Sequence, residues 1–488
     1  MIRHFSRLSR LARWRTLRWV IAAPALPLAL WACNANPLEA PNPLPAQQND
    51  QYYEVNPVRD VDILFMIDNS PSMSEEQTNL RRNFPVFMDE LKKIPGGLPN
   101  VHIGVISSDL GAGSKPLANG GCPTPGGDRG IFQVKPNCGL DPSSRFISSL
   151  QNQTMNNFTG TIENVFSCMA ALGTAGCGYE HQLQATRVAL YESVTKENAG
   201  FLRKDAFLAI VVISDEDDCS AETTSDLFTD DASFPMTTAS FRCSQVGHIC
   251  DGKSPPVGEF SAPLDNCMPN PAGRLIKVTD IVDSIRALKA RPDQQILVSG
   301  IFGWPNNPGG AQYRYVRTNQ GIDVAPICQS GNGEAAVGLR LKQFVESFGT
   351  SGSYFGICQD DFSPAMKQIG EKLAAKLSNT CISAKLADTK APLPSMGGKV
   401  EGDCQVIDRV PAGNGFKDDP IPPCSSNKKS AGGACWDLVP DTGCAESHLK
   451  MDVKRDKIAA QGTQQTIKCL SCASDKVAGC NYPVSAIQ

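Results

Sequence analysis

The stretch Val61-Asp62-Ile63-Leu64-Phe65-Met66-Ile67-Asp68-Asn69-Ser70-Pro71-Ser72 decides the fold. From Val61 to Ile67 every residue but Asp62 is apolar. A strand with one wet face alternates; a near-continuous apolar run belongs to a strand covered on both faces. The run stops at a carboxylate and two hydroxyls, and Ser74 to Lys93 then takes up helical character. Leu80, Phe84, Phe87 and Leu91 recur at intervals of three and four, on one stripe.

Outward from this stretch the same alternation repeats. Val101 to Ser107 reads as a second strand, and Ala206 to Ile213 as the most hydrophobic one. Gln295 to Phe302 and Ser353 to Ile357 complete the set. Helical spacing covers Glu180 to Glu197, Ile276 to Ala290, Gly338 to Phe348 and Phe362 to Leu377. Strands alternating with helices predict an α/β domain over 58–379: a doubly wound, mostly parallel sheet with helices on both faces. Such sheets place ligands at the carboxyl ends of the strands. The segments 111–178 and 216–270 are long and bear cysteines, and read as disulfide-pinned insertions on the rim. From about Thr380 the character shifts. Eight cysteines fall between Cys381 and Cys480, and alternation appears in His448 to Val453 and Gln464 to Leu470. Residues 380–488 therefore read as a small, β-rich, disulfide-stapled C-terminal domain.

The N-terminal residues read as an export signal. Arg3, Arg7, Arg10, Arg13, Arg15 and Arg18 precede an apolar stretch, Trp19 to Ala32, that Pro24 and Pro27 interrupt. It is short of the roughly 20 residues of a membrane span. Its end, Leu30-Trp31-Ala32-Cys33, resembles a bacterial lipobox, with Trp31 bulkier than the usual small residue. That resemblance implies a signal peptide over 1–32 and a lipidated Cys33; an ordinary signal cut near Ala32 or Ala35 is the alternative. Residues 33–57, rich in Pro, Asn and Gln, read as an extended tether. The 19 cysteines agree with export, because 18 remain once Cys33 is set aside, enough for nine disulfides. Cys469-Leu470-Ser471-Cys472 is a lone CxxC without a second, so disulfides are favoured over a metal or redox motif there. The chain carries 46 basic against 50 acidic residues; without the six leader arginines the balance is 40 against 50. Nucleic acid, which needs a basic face, is not an expected partner.

The D-x-S-x-S spacing of Asp68, Ser70 and Ser72, at the end of a buried strand, resembles the metal-ion-dependent adhesion site of von Willebrand factor A domains. One carboxylate and two hydroxyls are hard oxygen donors suited to Mg²⁺, Ca²⁺ or Mn²⁺. In that family a second loop supplies a Thr after glycines. Gly176-Cys177-Gly178-Tyr179-Glu180 matches the frame, with Glu180 in the Thr place. A third loop supplies an Asp after the most hydrophobic strand, and Ile213-Ser214-Asp215-Glu216 matches, with Glu216 where Gly is usual. The resemblance covers residues 58 to about 379. It implies a divalent cation held by Asp68, Ser70, Ser72, Glu180 and Asp215, and a binding rather than catalytic role. Plainer readings stand beside it: Asp68 as a helix cap, Asp215 to Asp218 as a solvated acidic loop, and Glu180 as a cap of its following helix.

These readings converge on an exported, bacterial cell-envelope lipoprotein at the outer membrane or cell surface. It is expected to bind a protein ligand through the cation and to meet the membrane through Cys33, without enzymatic activity. Two other classes remain open. In one, the metal only stabilises the fold of a structural envelope protein. In the other, Ser70, His181 and Asp215 form a hydrolase, although no G-x-S-x-G elbow surrounds either serine.

Overall fold

The computed structural model describes residues 52–480 apart from short intervals, the longest at 229–236, 306–312, 389–401, 441–448 and 473–479. The expected signal peptide, Cys33 and most of the expected tether lie outside the described residues. The end of that tether does not: Tyr52–Val55 is a strand, β1. The apolar run follows as β2 (Asp60–Ile67), and its Ile63, Phe65 and Ile67 point to one core while Leu64 and Met66 point to another. That two-sided burial is what the unbroken hydrophobic run requires.

Parallel partners flank β2: β3 (Asn100–Ser107) on one side, β6 (Phe207–Ser214) on the other. Beyond β3 lie two short strands, β4 (Ile147–Leu150) and β5 (Met155–Asn156), both antiparallel. Beyond β6 come β7 (Ile296–Phe302) and β8 (Gly352–Gly356), both parallel. The sheet order is β8-β7-β6-β2-β3-β4-β5. Chain direction along the sheet reverses at β2, which makes the carboxyl end of β2 the switch point. The antiparallel pair at one edge was not expected from the sequence. It is built from residues inside the first cysteine-bearing segment, too short and too polar to announce itself.

Helices cover both faces. On one face α1 (Ser74–Lys92), α2 (Ile162–Met169) and a last helix over Ser363–Leu377 share a core. Phe65 sits there amid the rings of Phe84, Phe87 and Phe166, with centroids 4.7–6.0 Å away. Gly370 allows the last helix to approach α1, since a Cβ there would lie 2.8 Å from that of Glu90. The other face carries α3 (Gln182–Arg187) and the helices Val278–Arg286 and Leu339–Glu346. The helix expected over 180–197 is shorter than its pattern: α3 passes into a π-helical turn over Val188–Glu192.

Disulfides close within both cysteine-bearing segments. Cys122–Cys177 and Cys138–Cys168 close within the first, Cys219–Cys243 and Cys250–Cys267 within the second. Cys328–Cys358 staples a small hairpin to the end of β8. In the C-terminal region, Cys469 pairs with Cys404 and Cys472 with Cys480, so the CxxC motif is split between two disulfides. Cys424–Cys435 completes the described pairs; Cys381 and Cys444 lie outside the described residues.

The C-terminal region is β-rich. Strands Gln464–Leu470, Cys404–Ala412 and Gly415–Ile421 form an antiparallel sheet, and β1 pairs with the first of them as the fourth strand. A second ribbon, Ala434–Pro440 with Leu449–Arg455, contributes Trp436 and Met451 to their common core. The segment entering the α/β domain thus completes the sheet of the domain that follows it. Proline-rich composition hid this strand, because only four residues pair.

Candidate metal site at the strand ends

Ile67 stands opposite Ser107 of β3 and Ile213 of β6. The residues that follow, Asp68, Ser108 and the pair Ser214–Asp215, therefore emerge together at the carboxyl edge. Asp68 is fully buried. Its Oδ1 accepts the Ser70 N–H at 2.8 Å and the Ser108 hydroxyl at 3.1 Å, and its Oδ2 accepts the Ser214 hydroxyl at 2.6 Å. This is an aspartate turn locked by neighbouring strands. It is not a helix cap: α1 starts after Met73 and has no side-chain cap.

The Ser70 and Ser72 hydroxyls are 3.3 Å apart. Asp68, Ser70 and Ser72 thus form one hydrogen-bonded chain. Asp215 is 2% exposed, and its Oδ1 has no hydrogen-bond partner. A buried carboxylate oxygen without a donor is costly unless something absent from the protein chain completes it.

The second loop reaches the first through Gly176, whose N–H donates to the Asn69 carbonyl at 2.9 Å. A Cβ on Gly176 would come within 2.3 Å of the Asn69 side chain. Glu180 then lies fully inside and shares a hydrogen bond with Glu216. The capping role expected as one option for Glu180 belongs to others. Asp218 Oδ1 accepts the Leu183 N–H at 2.9 Å and Ser220 Oγ accepts the Gln184 N–H at 2.8 Å, at the start of α3.

The stretch 215–218 is no solvated loop. Asp217 accepts the backbone N–H groups of Arg340 and Leu341, capping Leu339–Glu346, and meets His248 Nε2 at 2.7 Å. Asp218 Oδ2 pairs with the buried Arg340 guanidinium at 2.8 Å. These two acids are compensated. Asp215 and Glu216 are not.

Burial raises the Asp68 carboxyl above its ordinary range. Burial, then the charges of Glu216 and Asp68, push Glu180 well up; burial, then Asp68 and Glu216, do the same to Asp215. Glu216 is pushed up to about 7, mainly by burial. Glu76, in the first turn of α1, is likewise buried and pushed up to about 7, with Glu75 and Asp68 adding to the burial. Among the described residues no Lys, Arg or His forms an ion pair with any of these five carboxyls. Nor, among the described residues, do three His, Cys, Asp or Glu side chains alone form a group able to hold a metal. The serine hydroxyls are needed to complete a shell.

Sequence reasoning missed Ser108, Ser214 and Glu76. Ser108 and Ser214 each end or follow an apolar run flanking β2, a readable signal once the register is known. The hydrolase arrangement is not assembled. His181 Nε2 donates to the Gly111 carbonyl at 2.9 Å and its Nδ1 accepts the Ala221 N–H at 3.4 Å, so backbone groups hold both ring nitrogens.

No protein-family model matches the chain, and no curated protein does. Among solved structures it is similar to proximal thread matrix protein 1 from the mussel byssus, at 9% identity and a TM-score of 0.26, over 66% of this chain and 48% of that one. It is also similar to the pilus adhesin of Streptococcus pneumoniae, at 10% identity and 0.27, over 86% and 57%. The adhesive tip pilin of Group B Streptococcus agalactiae aligns at 11% identity and 0.27, over 85% and 79%. The chain thus spans about half the length of the first two. Scores at this level establish neither a shared fold nor a shared function. No helix among the described residues is long and apolar enough to cross a membrane.

Proposed function

We propose that this chain is an exported cell-envelope protein whose α/β domain is of the von Willebrand factor A type and binds a divalent cation, serving protein–protein interaction or adhesion. Asp68, Ser70, Ser72 and Asp215 would hold the ion, with Ser108 and Ser214 orienting Asp68. The donor set consists of hard oxygens, which fits Mg²⁺, Ca²⁺ or Mn²⁺. The observation that carries the reading is the orphaned Oδ1 of Asp215 among buried carboxyls that no protein cation offsets. A bound ion would supply that missing countercharge. The sheet order agrees, since the site lies at the switch point where such sheets bind ligands. Eight described disulfides agree with an oxidising compartment, and lipid at Cys33 with attachment to a membrane.

Calorimetry with Mg²⁺ and Ca²⁺ tests the site: Asp68→Ala is expected to abolish binding while the sheet still folds. Unchanged affinity in that variant refutes it. Capture of envelope proteins that is lost on chelation and in Asp68→Ala tests the adhesive role. Capture indifferent to both leaves the ion a purely structural part.

A further inference from the structure

Gln182 opens α3, two residues after Glu180, and nothing in the family resemblance gives it a role. It is fully buried. Its Nε2 donates to the Ser214 hydroxyl at 2.8 Å, whereas its Oε1 has no hydrogen-bond partner. The next two residues bind the same loop: the Leu183 N–H donates to Asp218 Oδ1 and the Gln184 N–H to Ser220 Oγ. The start of α3 is thus fixed on the loop that follows β6, and Gln182 reaches Ser214 from a firm base. A buried amide oxygen left bare costs stability. An apolar side chain of the same length would serve the fold at least as well, so what Gln182 adds is its contact with Ser214.

The Ser214 hydroxyl has one proton and two lone pairs to place. The Gln182 amide fills one lone pair at 2.8 Å and the Glu216 N–H the other at 3.2 Å. Two acceptors then compete for the proton, Asp68 Oδ2 at 2.6 Å and the Glu216 carbonyl at 3.1 Å. The shorter, charge-assisted bond to Asp68 prevails. Turning the Gln182 amide over would set Oε1 against the hydroxyl, draw the proton away from Asp68 and leave two oxygens 2.6 Å apart with no hydrogen between them. Gln182 therefore sets the direction in which Ser214 donates. Asp68 Oδ1 is already held by the Ser70 N–H and the Ser108 hydroxyl, so with Oδ2 fixed as well the carboxylate has one orientation. We propose that Gln182 is a positioning residue of the cation site, which locks the Ser214 proton onto Asp68 and so presents that carboxylate to the ion ready aligned. This rests on the cation reading above and deepens it.

The test is a double-mutant cycle on the full chain, read by calorimetry of Mg²⁺ binding to wild type, Gln182→Met, Ser214→Ala and the double variant, with Asp68→Ala beside them. Removing a group that orients a metal ligand typically weakens metal binding by about tenfold or more, so Ser214→Ala should lose about tenfold and Gln182→Met, one step further out, about fivefold. In the Ser214→Ala background Gln182→Met should change affinity by less than about twofold, because the residue through which it acts is gone. The metal-free melt of Gln182→Met should be no lower than that of wild type, which a merely structural role would not allow. Gln182→Met within about twofold of wild type overturns the proposal, and so does an equal loss in both backgrounds. Gln182→Asn, whose amide is one methylene too short to reach Ser214, takes the place of Gln182→Met in the cycle if that variant does not fold. Asp68→Ala separates the two levels. If it abolishes binding while Gln182→Met does not weaken it, only the role of Gln182 fails. If Asp68→Ala binds like wild type, the cation site itself fails.

Discussion

Glu76→Gln isolates the electrostatic cost of burying one carboxyl. Glu76 is pushed up to about 7 from 4.5. Below pH 4.5 the group is protonated whether folded or not and costs nothing. Between 4.5 and 7 the unfolded chain ionises first, so stability falls as pH rises. Above 7 the cost levels off at about 3 kcal/mol, taking 1.36 kcal/mol per pKa unit. At pH 5 the same linkage gives about 1 kcal/mol. Wild type alone is a poor probe, because buried histidines work the other way. His102 is lowered to about 4, chiefly by burial, and His181 is lowered too. Their neutral folded forms lose stability as pH falls below 6.5. Those contributions cancel in the difference between wild type and Glu76→Gln. In chelator, the variant should therefore gain about 2 kcal/mol on wild type between pH 5 and pH 8. A domain of roughly 300 residues shifts about 1.5 °C per kcal/mol, so scanning calorimetry should read roughly 3 °C. Melting curves of the two proteins that track each other within a degree across this range, in chelator, would refute the reasoning.

Three further outcomes follow from other parts of the molecule. Asp218→Ala leaves the Arg340 guanidinium, 1% exposed, without its partner and uncaps α3; urea denaturation should show a loss of about 3–5 kcal/mol, and a loss under 1 would mean that the pair is not needed. Alkylation of denatured, unreduced protein should label almost no cysteine, whereas two or more labelled positions between Cys404 and Cys480 would contradict the pairing of that region. Intact mass of membrane-extracted protein should carry diacylglycerol on Cys33; soluble protein starting at another residue would count against the anchor.

The sheet was legible because burial on both faces writes itself into consecutive apolar residues. Val61 to Ile67, Phe207 to Ile213 and Ile296 to Phe302 have no wet side, so composition alone marks them within a residue or two. Helical spacing likewise marked Ser74–Lys92, Val278–Arg286, Leu339–Glu346 and Ser363–Leu377, whereas Ile162–Met169, inside the first cysteine-bearing segment, was not read. What was not legible depends on pairing across long separations. Met155–Asn156 and Tyr52–Val55 are strands only because an exposed sheet edge was there to receive them. Four or fewer residues carry too little pattern to show that beforehand.

The acidic stretch after β6 shows where reading residue types reaches its limit. Asp215, Glu216, Asp217 and Asp218 are four adjacent acids, and composition alone does not tell them apart. Burial separates them. Asp218 faces Arg340 and the first turn of α3, and Asp217 faces the first turn of Leu339–Glu346 and His248. Each meets positive charge or free N–H groups, so each is settled by the protein alone. Glu216 has a serine, Ser240, and another acid, Glu180. Asp215 has an oxygen without a hydrogen-bond partner. The sequence could not say which acids would be compensated, because the compensating groups come from elements distant in the chain, His248 and the start of α3 some 31 and 35 residues away and Arg340 more than a hundred. Once they are in place, Asp215 keeps a buried oxygen without a partner, and both Asp215 and Glu216 feel the charge of Asp68. The charge left over is therefore not spread along the loop but gathered at the end of β2.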